Sequence, residues 1–182
     1  MSQRKRPDAV ELAVPVADDD HVIGPASAPV TLVEYGDFEC PHCGAAHPIV
    51  KALLERLGAE IRFVFRNFPI ASIHPHATHA AEAAEAAGAQ GRFWEMHDVL
   101  FENQTALQDT DLVAYAKQVG VERAQFVRGL SGHAYAARVR EHFMGGVRSG
   151  VNGTPTFFIN GLRHDDSFDL PTLAKAIQRA AE

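Results

Sequence analysis

The chain has only two cysteines, and they stand three positions apart in Cys40-Pro41-His42-Cys43. Two thiols at that spacing can close a disulfide, pass it on by exchange, or ligate a metal. Cys40 follows a strand and loop and opens a helical pattern. The first N–H groups of a helix lack backbone partners, and the helix dipole is positive at that end; both favour thiolate over thiol. Pro41 costs nothing at the first helical position, where its missing N–H would be unpaired anyway. His42 can add a positive charge or a donor beside the sulfur. Thiols in such settings have their pKa lowered from about 8.5 to roughly 3.5–7.5. Cys43 lies one helical step along the same face, close enough to close the disulfide. Cys40 is thus expected as the exposed attacking thiolate and Cys43 as the more buried resolving thiol.

Zinc is the competing use of such a pair. A structural zinc site takes four ligands, usually two such pairs, and no second CxxC exists here. Ten histidines are available, and His74, His76 and His79 cluster. Their spacing on a Pro-broken segment does not put three rings on one helix face, and a solvated loop-to-helix junction is the plainer reading. No metal site is expected.

The elements that must hold the pair can be read from periodicity. Val30 to Tyr35 is β-branched and aromatic between Pro29 and Gly36, which marks a strand. Ala46, Ile49, Val50, Leu53, Leu54 and Leu57 share one helical face, closed by Gly58. Ile61, Phe63 and Phe65 alternate with Arg62, Val64 and Arg66 in a second strand, its two arginines expected solvated or salt-bridged at the sheet's edge. This β-α-β unit requires a right-handed crossover and parallel strands. Helical patterns follow over 76–90, at Phe93, Trp94, His97, Leu100 and Phe101, and at Leu112, Tyr115, Ala116 and Val119. A short piece carries Phe126, Val127 and Leu130, and a longer helix begins near Ser131. Phe93, Trp94, Leu100 and Phe101 are expected to form the core of this helical block. Thr156 to Ile159 then leads into Asn160-Gly161, a strong hairpin signal, and Asp169 caps a last amphipathic helix. The whole is α/β: one fold carrying a helical insertion over about residues 72–130.

Composition limits the alternatives. The 182 residues suit one domain, with 46% hydrophobic and 22% charged residues, as in ordinary soluble globular proteins. A net charge of −6, from 17 Lys+Arg against 23 Asp+Glu, argues against a general nucleic-acid or anionic-membrane binder. No apolar run approaches the roughly 18 residues that span a bilayer. Arg4-Lys5-Arg6 could open a signal peptide, but Pro7-Asp8-Ala9-Val10-Glu11 follows instead of an apolar stretch, so a cytoplasmic location is expected unless the chain is a trimmed mature form. Residues 1–20 read as a flexible arm, and residues 21–182 as the folded domain.

Taken together, Phe38-Glu39-Cys40-Pro41-His42-Cys43 after a strand and Gly153-Thr154-Pro155-Thr156-Phe157 later in the chain resemble the DsbA-like branch of the thioredoxin superfamily. The resemblance covers about residues 21–182, and Pro48 matches the helix proline of that family. It implies a thioredoxin fold, a central mixed sheet flanked by helices, with a helical insertion. It also implies Cys40 as nucleophile, Cys43 as resolving thiol and His42 as the residue that stabilises the Cys40 thiolate. Pro155 is then cis, and Pro41, Thr154 and Pro155 lie against an extended substrate, with the Thr154 backbone offering strand-like hydrogen bonds. Glu34 matches a buried acid that relays the Cys43 proton; an exposed strand carboxylate is its plainer reading.

The function implied is thiol–disulfide exchange with protein or peptide substrates, leaning to dithiol oxidation, with a reductase or isomerase as the alternative direction. The Cys40–Cys43 disulfide is the redox group, with no cofactor; a recycling partner is required, and a monomer is expected. Kappa-type glutathione transferases share the insertion-bearing fold but generally lack a resolving cysteine at the position of Cys43. A non-catalytic peptide platform at the Pro155 loop would need neither cysteine.

Overall fold

The computed structural model describes residues 9–182; Arg4-Lys5-Arg6, weighed above as the start of a leader, lies outside them. Strands β1 (His21–Ile23), β2 (Val30–Gly36), β3 (Ile61–Asn67), β4 (Thr156–Ile159) and β5 (Leu162–His164) form one sheet in the order β1-β3-β2-β4-β5. β2 and β3 are parallel and joined by α1 (Pro41–Leu57), as a crossover demands; the other pairings are antiparallel. Between β3 and β4 run α2 (Ala77–Gly88), α3 (Phe93–Glu102), α4 (Asp109–Gln118), α5 (Arg123–Ser131) and α6 (Ala136–Arg148), and α7 (Leu170–Ala181) closes the chain. The architecture is the expected one, a mixed sheet with helices on both faces and a helical block between two strands.

Side chains alternate across a strand, so β2 sends Leu32 and Glu34 to one face and Val33 and Tyr35 to the other. The first face packs α1 and α7 and carries the larger core, which also takes in Phe93, Leu100 and Phe101 of α3. The second holds Val33, Tyr35, Val64, Phe68, Val151 and Phe158, with Phe143 of α6 against them. This places Glu34 under α1, on the side of the cysteines. The Asn160-Gly161 turn forms as expected, with φ of 48° and 82° at its two positions.

Three expectations need correction. Residues 9–20 are not a loose arm. Leu12 N–H donates to the Gly161 carbonyl, Arg163 N–H to the Val10 carbonyl, and Glu11 forms a bridge with Leu162, so this segment pairs along the outer side of β5. It then crosses to Arg66, whose guanidinium donates to the carbonyls of Val14 and Pro15, to both Asp20 carboxylate oxygens and to the Tyr35 hydroxyl at 2.7–3.0 Å. A guanidinium offers five donors, and the arm supplies the acceptors that let this one be buried. Arg66 is therefore salt-bridged, to Asp20, as one of the two readings expected, but it is neither solvated nor at a sheet edge: it is 3% exposed, and β1 covers that side of β3. Finally, α6 starts at Ala136 rather than near Ser131; His133 at φ 50° breaks the chain between α5 and α6.

Candidate active site

Cys40 is the N-cap of α1, in an extended conformation, with Pro41 first in the helix and Cys43 one turn in. The helix turns Cys43, Ala46, His47, Val50 and Leu53 toward the core. Both cysteines are free thiols, and both are buried: Cys43 is 0% and Cys40 4% exposed. The expected exposure of Cys40 is thus corrected. The loop before β4 covers it, with the Thr154 carbonyl 3.4 Å from its sulfur. The Thr154–Pro155 peptide bond is cis.

The two thiols have separated chemistries. A hydrogen bond from the Cys43 thiol, joined by the Thr154 hydroxyl and the N–H groups of Cys43 and His42, outweighs burial and lowers Cys40 to about 5. The Thr154 hydroxyl oxygen is buried and makes no hydrogen bond among the described residues, so the neighbouring Cys40 sulfur is the group it can turn to. Burial, the hydrogen bond to Cys40 and the nearby Glu34 and Cys40 charges push Cys43 well above an ordinary thiol, opposed by the Asp37 N–H. Glu34 is 3% exposed, and burial first, then the Cys40 charge, raises its carboxyl to about 8. Its plainer reading as an exposed carboxylate is overturned, because β2 is a central strand with both faces covered. His42 is exposed, and what reaches the sulfur from it is the backbone N–H. Pro41 is exposed at the rim, with Thr154 and Pro155 half-buried.

The loop leading to Cys40 is held from three sides. Asp37, 1% exposed, accepts the Glu39 N–H on Oδ1 at 2.8 Å, and on Oδ2 the Ile70 N–H at 2.8 Å and the His74 imidazole at 2.7 Å. Its carbonyl accepts the Cys40 N–H at 3.1 Å, and its own N–H lies 3.4 Å from Cys43 Sγ. Glu39 accepts from both the N–H and the imidazole of His76. Gln104 of the helical block donates to the Phe38 and Cys40 carbonyls at 2.9 and 2.8 Å. The histidine cluster lies at a partly exposed loop-to-helix junction, as expected, and the structure adds that His74, His76 and His79 each hold a different carboxylate, those of Asp37, Glu39 and Asp109.

A family model described as thioredoxin matches residues 17–179. The chain belongs to this thioredoxin family. A solved thioredoxin-like oxidoreductase from Silicibacter pomeroyi is 28% identical, covers 90% of this chain and 93% of its own, and superposes with a TM-score of 0.78. Oxidised BdbD from Bacillus subtilis, 24% identical with 96% and 98% coverage and a TM-score of 0.82, shares the fold. Among curated proteins, the Na(+)/H(+) antiporter NhaA 1 of Salinispora arenicola is 49% identical over 172 residues, 94% of this chain but 26% of that protein. The chain spans about a quarter of the length of that relative.

Within this thioredoxin-family site, sequence reasoning placed Cys40, Cys43, Glu34, Thr154 and Pro155, and the fold brings these residues together. It missed Asp37 and Gln104. Asp37, a short polar residue between a strand end and a helix start, carried a turn signal that could have been read; Gln104 carried none. A further cluster went unread: Asp98 Oδ1 accepts from His47 and His97 at 2.9 and 3.0 Å, and Oδ2 from Lys51 at 2.8 Å. Three metal-ligand atoms there lie within 4.8 Å of one another. The Lys51 ammonium already supplies the positive charge an ion would bring, and the group ties α1 to α3.

Proposed function

We propose that the chain is a DsbA-like thiol–disulfide oxidoreductase that acts on protein thiols through Cys40 and Cys43 and leans toward donating its disulfide. The supporting observation is the opposite treatment of the two sulfurs, Cys40 lowered to about 5 and Cys43 pushed up. In the oxidising direction a substrate thiolate attacks Cys40 Sγ, the Cys40–Cys43 bond breaks, and Cys43 leaves with the electron pair and takes a proton from Glu34. A second substrate thiolate then attacks the substrate sulfur of the mixed disulfide, and Cys40 leaves as a stable thiolate. The substrate loses two electrons and the cysteine pair gains them; a disulfide-bearing or quinone-type partner must take them up again. Stabilising the Cys40 thiolate stabilises the reduced enzyme, which makes the disulfide a stronger oxidant.

Thr154 and Pro155 are the substrate-facing backbone in this proposal. A groove of about 650 Å³ lined by Phe68, Ile70, Val139, Phe143, Val147 and Val151 adjoins them through Asn152, which also lines a recess at Pro155. An extended, apolar segment of an incompletely folded protein suits such a surface. Ion transport is named for the whole antiporter relative, of which this chain spans about a quarter, and it is not carried over here; no helix among the described residues is long and apolar enough to cross a membrane.

The test is the equilibrium potential of the pair against glutathione, read by alkylation and mass. A value near −120 mV, about that of strong oxidants, supports the donor direction and a compartment where disulfides persist. A value near −270 mV, about that of cytosolic reductants, assigns the reductase alternative and the cytoplasm. Cys40→Ser is expected to abolish exchange, and retained exchange would sink the proposal. Size-exclusion chromatography tests the monomer.

A further inference from the structure

We propose that Asp37, held by His74, is the positioning residue of the resolving step: its carboxylate fixes the peptide whose N–H donates to Cys43 Sγ. The inference rests on the exchange function proposed above and adds a residue to it. The geometry is specific. The carboxylate is fully buried and makes three hydrogen bonds, to its own loop at Glu39, to Ile70 beyond β3, and to His74, whose side chain is 14% exposed. Those bonds set the plane of the Asp37 backbone, which faces both sulfurs' residues: N–H to Cys43 Sγ at 3.4 Å, carbonyl to Cys40 N–H at 3.1 Å.

The chemistry explains why that N–H matters more to Cys43 than to Cys40. Burial, Cys40 and Glu34 all disfavour the Cys43 thiolate, and the Asp37 N–H is the influence that favours it. For a thiol far above ambient pH, each unit of lowering multiplies the thiolate population tenfold. It lowers nucleophilicity only by the Brønsted factor of about 0.4–0.5, so resolution gains. In the opposite direction the same N–H makes Cys43 a better leaving group. Cys40 has its own donors and does not depend on Asp37 for its ionisation. The step in question is attack of Cys43 Sγ on the Cys40 sulfur of the mixed disulfide; the Cys40–Cys43 bond forms and the substrate leaves as thiolate.

Reduced full-length protein treated with Ellman's reagent separates the two steps. The first aromatic thiolate is released when Cys40 attacks, and the second when Cys43 resolves. Asp37→Asn places an amide donor against the donors of Ile70 or His74, so the second phase is expected to slow roughly three- to twentyfold, which is what one hydrogen bond to a charged group leaves after the Brønsted factor, with the first phase within about twofold. His74→Ala is expected to slow the same phase, and His74→Gln, which keeps a donor, to recover part of it. These two variants alter a partly exposed side chain rather than the buried carboxylate and carry the test should Asp37→Asn fail to fold. Equal slowing of both phases in the His74 variants, slowing of the first alone, or no change would overturn the inference. A wild-type protein that releases no second thiolate would instead fail the exchange reading itself, and this one with it.

Discussion

Cys40 and Glu34 are displaced in opposite directions, and each displacement leaves its own mark on a pH profile. Cys40 falls from an ordinary value of 9.0 to about 5, so between those values the folded reduced chain has lost a proton that the unfolded chain keeps. Its stabilisation is complete above pH 9 and is lost as pH falls through 5. Thiolate absorbance near 240 nm is expected to titrate with a midpoint near 5 and to vanish in Cys40→Ala. Because the Cys43 thiol is the largest favourable influence on Cys40, Cys43→Ala is expected to move that midpoint upward; an unmoved midpoint would contradict the assignment. Glu34 rises from 4.5 to about 8. The folded chain keeps this proton after the unfolded chain has released it, so stability falls by about 1.4 kcal/mol per unit as pH rises through that window. In the oxidised protein, where the Cys40 charge is gone and burial alone raises the carboxyl, Glu34→Gln is expected to gain stability over wild type progressively as pH rises above about 5, by urea denaturation; a pH-independent difference would show that Glu34 ionises normally.

At the scale of elements, the arm and its buried anchor are the sharpest case. The side chains of Asp20 and Arg66 are each 4% exposed, and removing one partner strands a charge in the interior. Asp20→Ala is expected to cost about 3–5 kcal/mol in denaturant melts, and a loss below about 1 kcal/mol would mean that water replaces the carboxylate. In the active-site helix, a Cβ on Gly44 would stand 2.1 Å from Gln104 Oε1. Gly44→Ala is therefore expected to dislodge Gln104 from the Phe38 and Cys40 carbonyls and slow exchange several-fold while the fold persists, as measured by turnover beside circular dichroism. The strands, α1 and the hairpin were legible in the sequence because burial imposes a period of two or 3.6, and turns impose their own residues. The arm was not legible. Its acceptors are two backbone carbonyls, which every sequence has, and the Asp20 carboxylate, and their donor lies 46 to 52 residues away. Nor does periodicity tell which strand is central, and so Arg66 was read as edge-bound. β1, three residues long, offered too short a pattern. Of the site, the cysteines were legible because their spacing is itself chemical, and Pro155 because Gly153-Thr154-Pro155 before a strand resembles the family's loop; the Asp37–His74 tie was not, since 37 positions separate the partners.

For the molecule as a whole, the thiolate at Cys40 links redox state to stability. If the reduced form is the one the site stabilises, reduction is expected to raise the melting temperature at pH 7, and a higher melting temperature for the oxidised form would argue for the reductase direction. The sheet carries a second consequence for a protein proposed to meet incompletely folded chains. Such clients present unpaired strands, and an open sheet edge would invite them to add on and spread from copy to copy. Here one edge is the three-residue β1, and the other, β5, is already paired by residues 10–12. On the proposed function, a client held beside Pro155 would find no template on which to polymerise, and the chain would handle sticky material without becoming the seed of an aggregate.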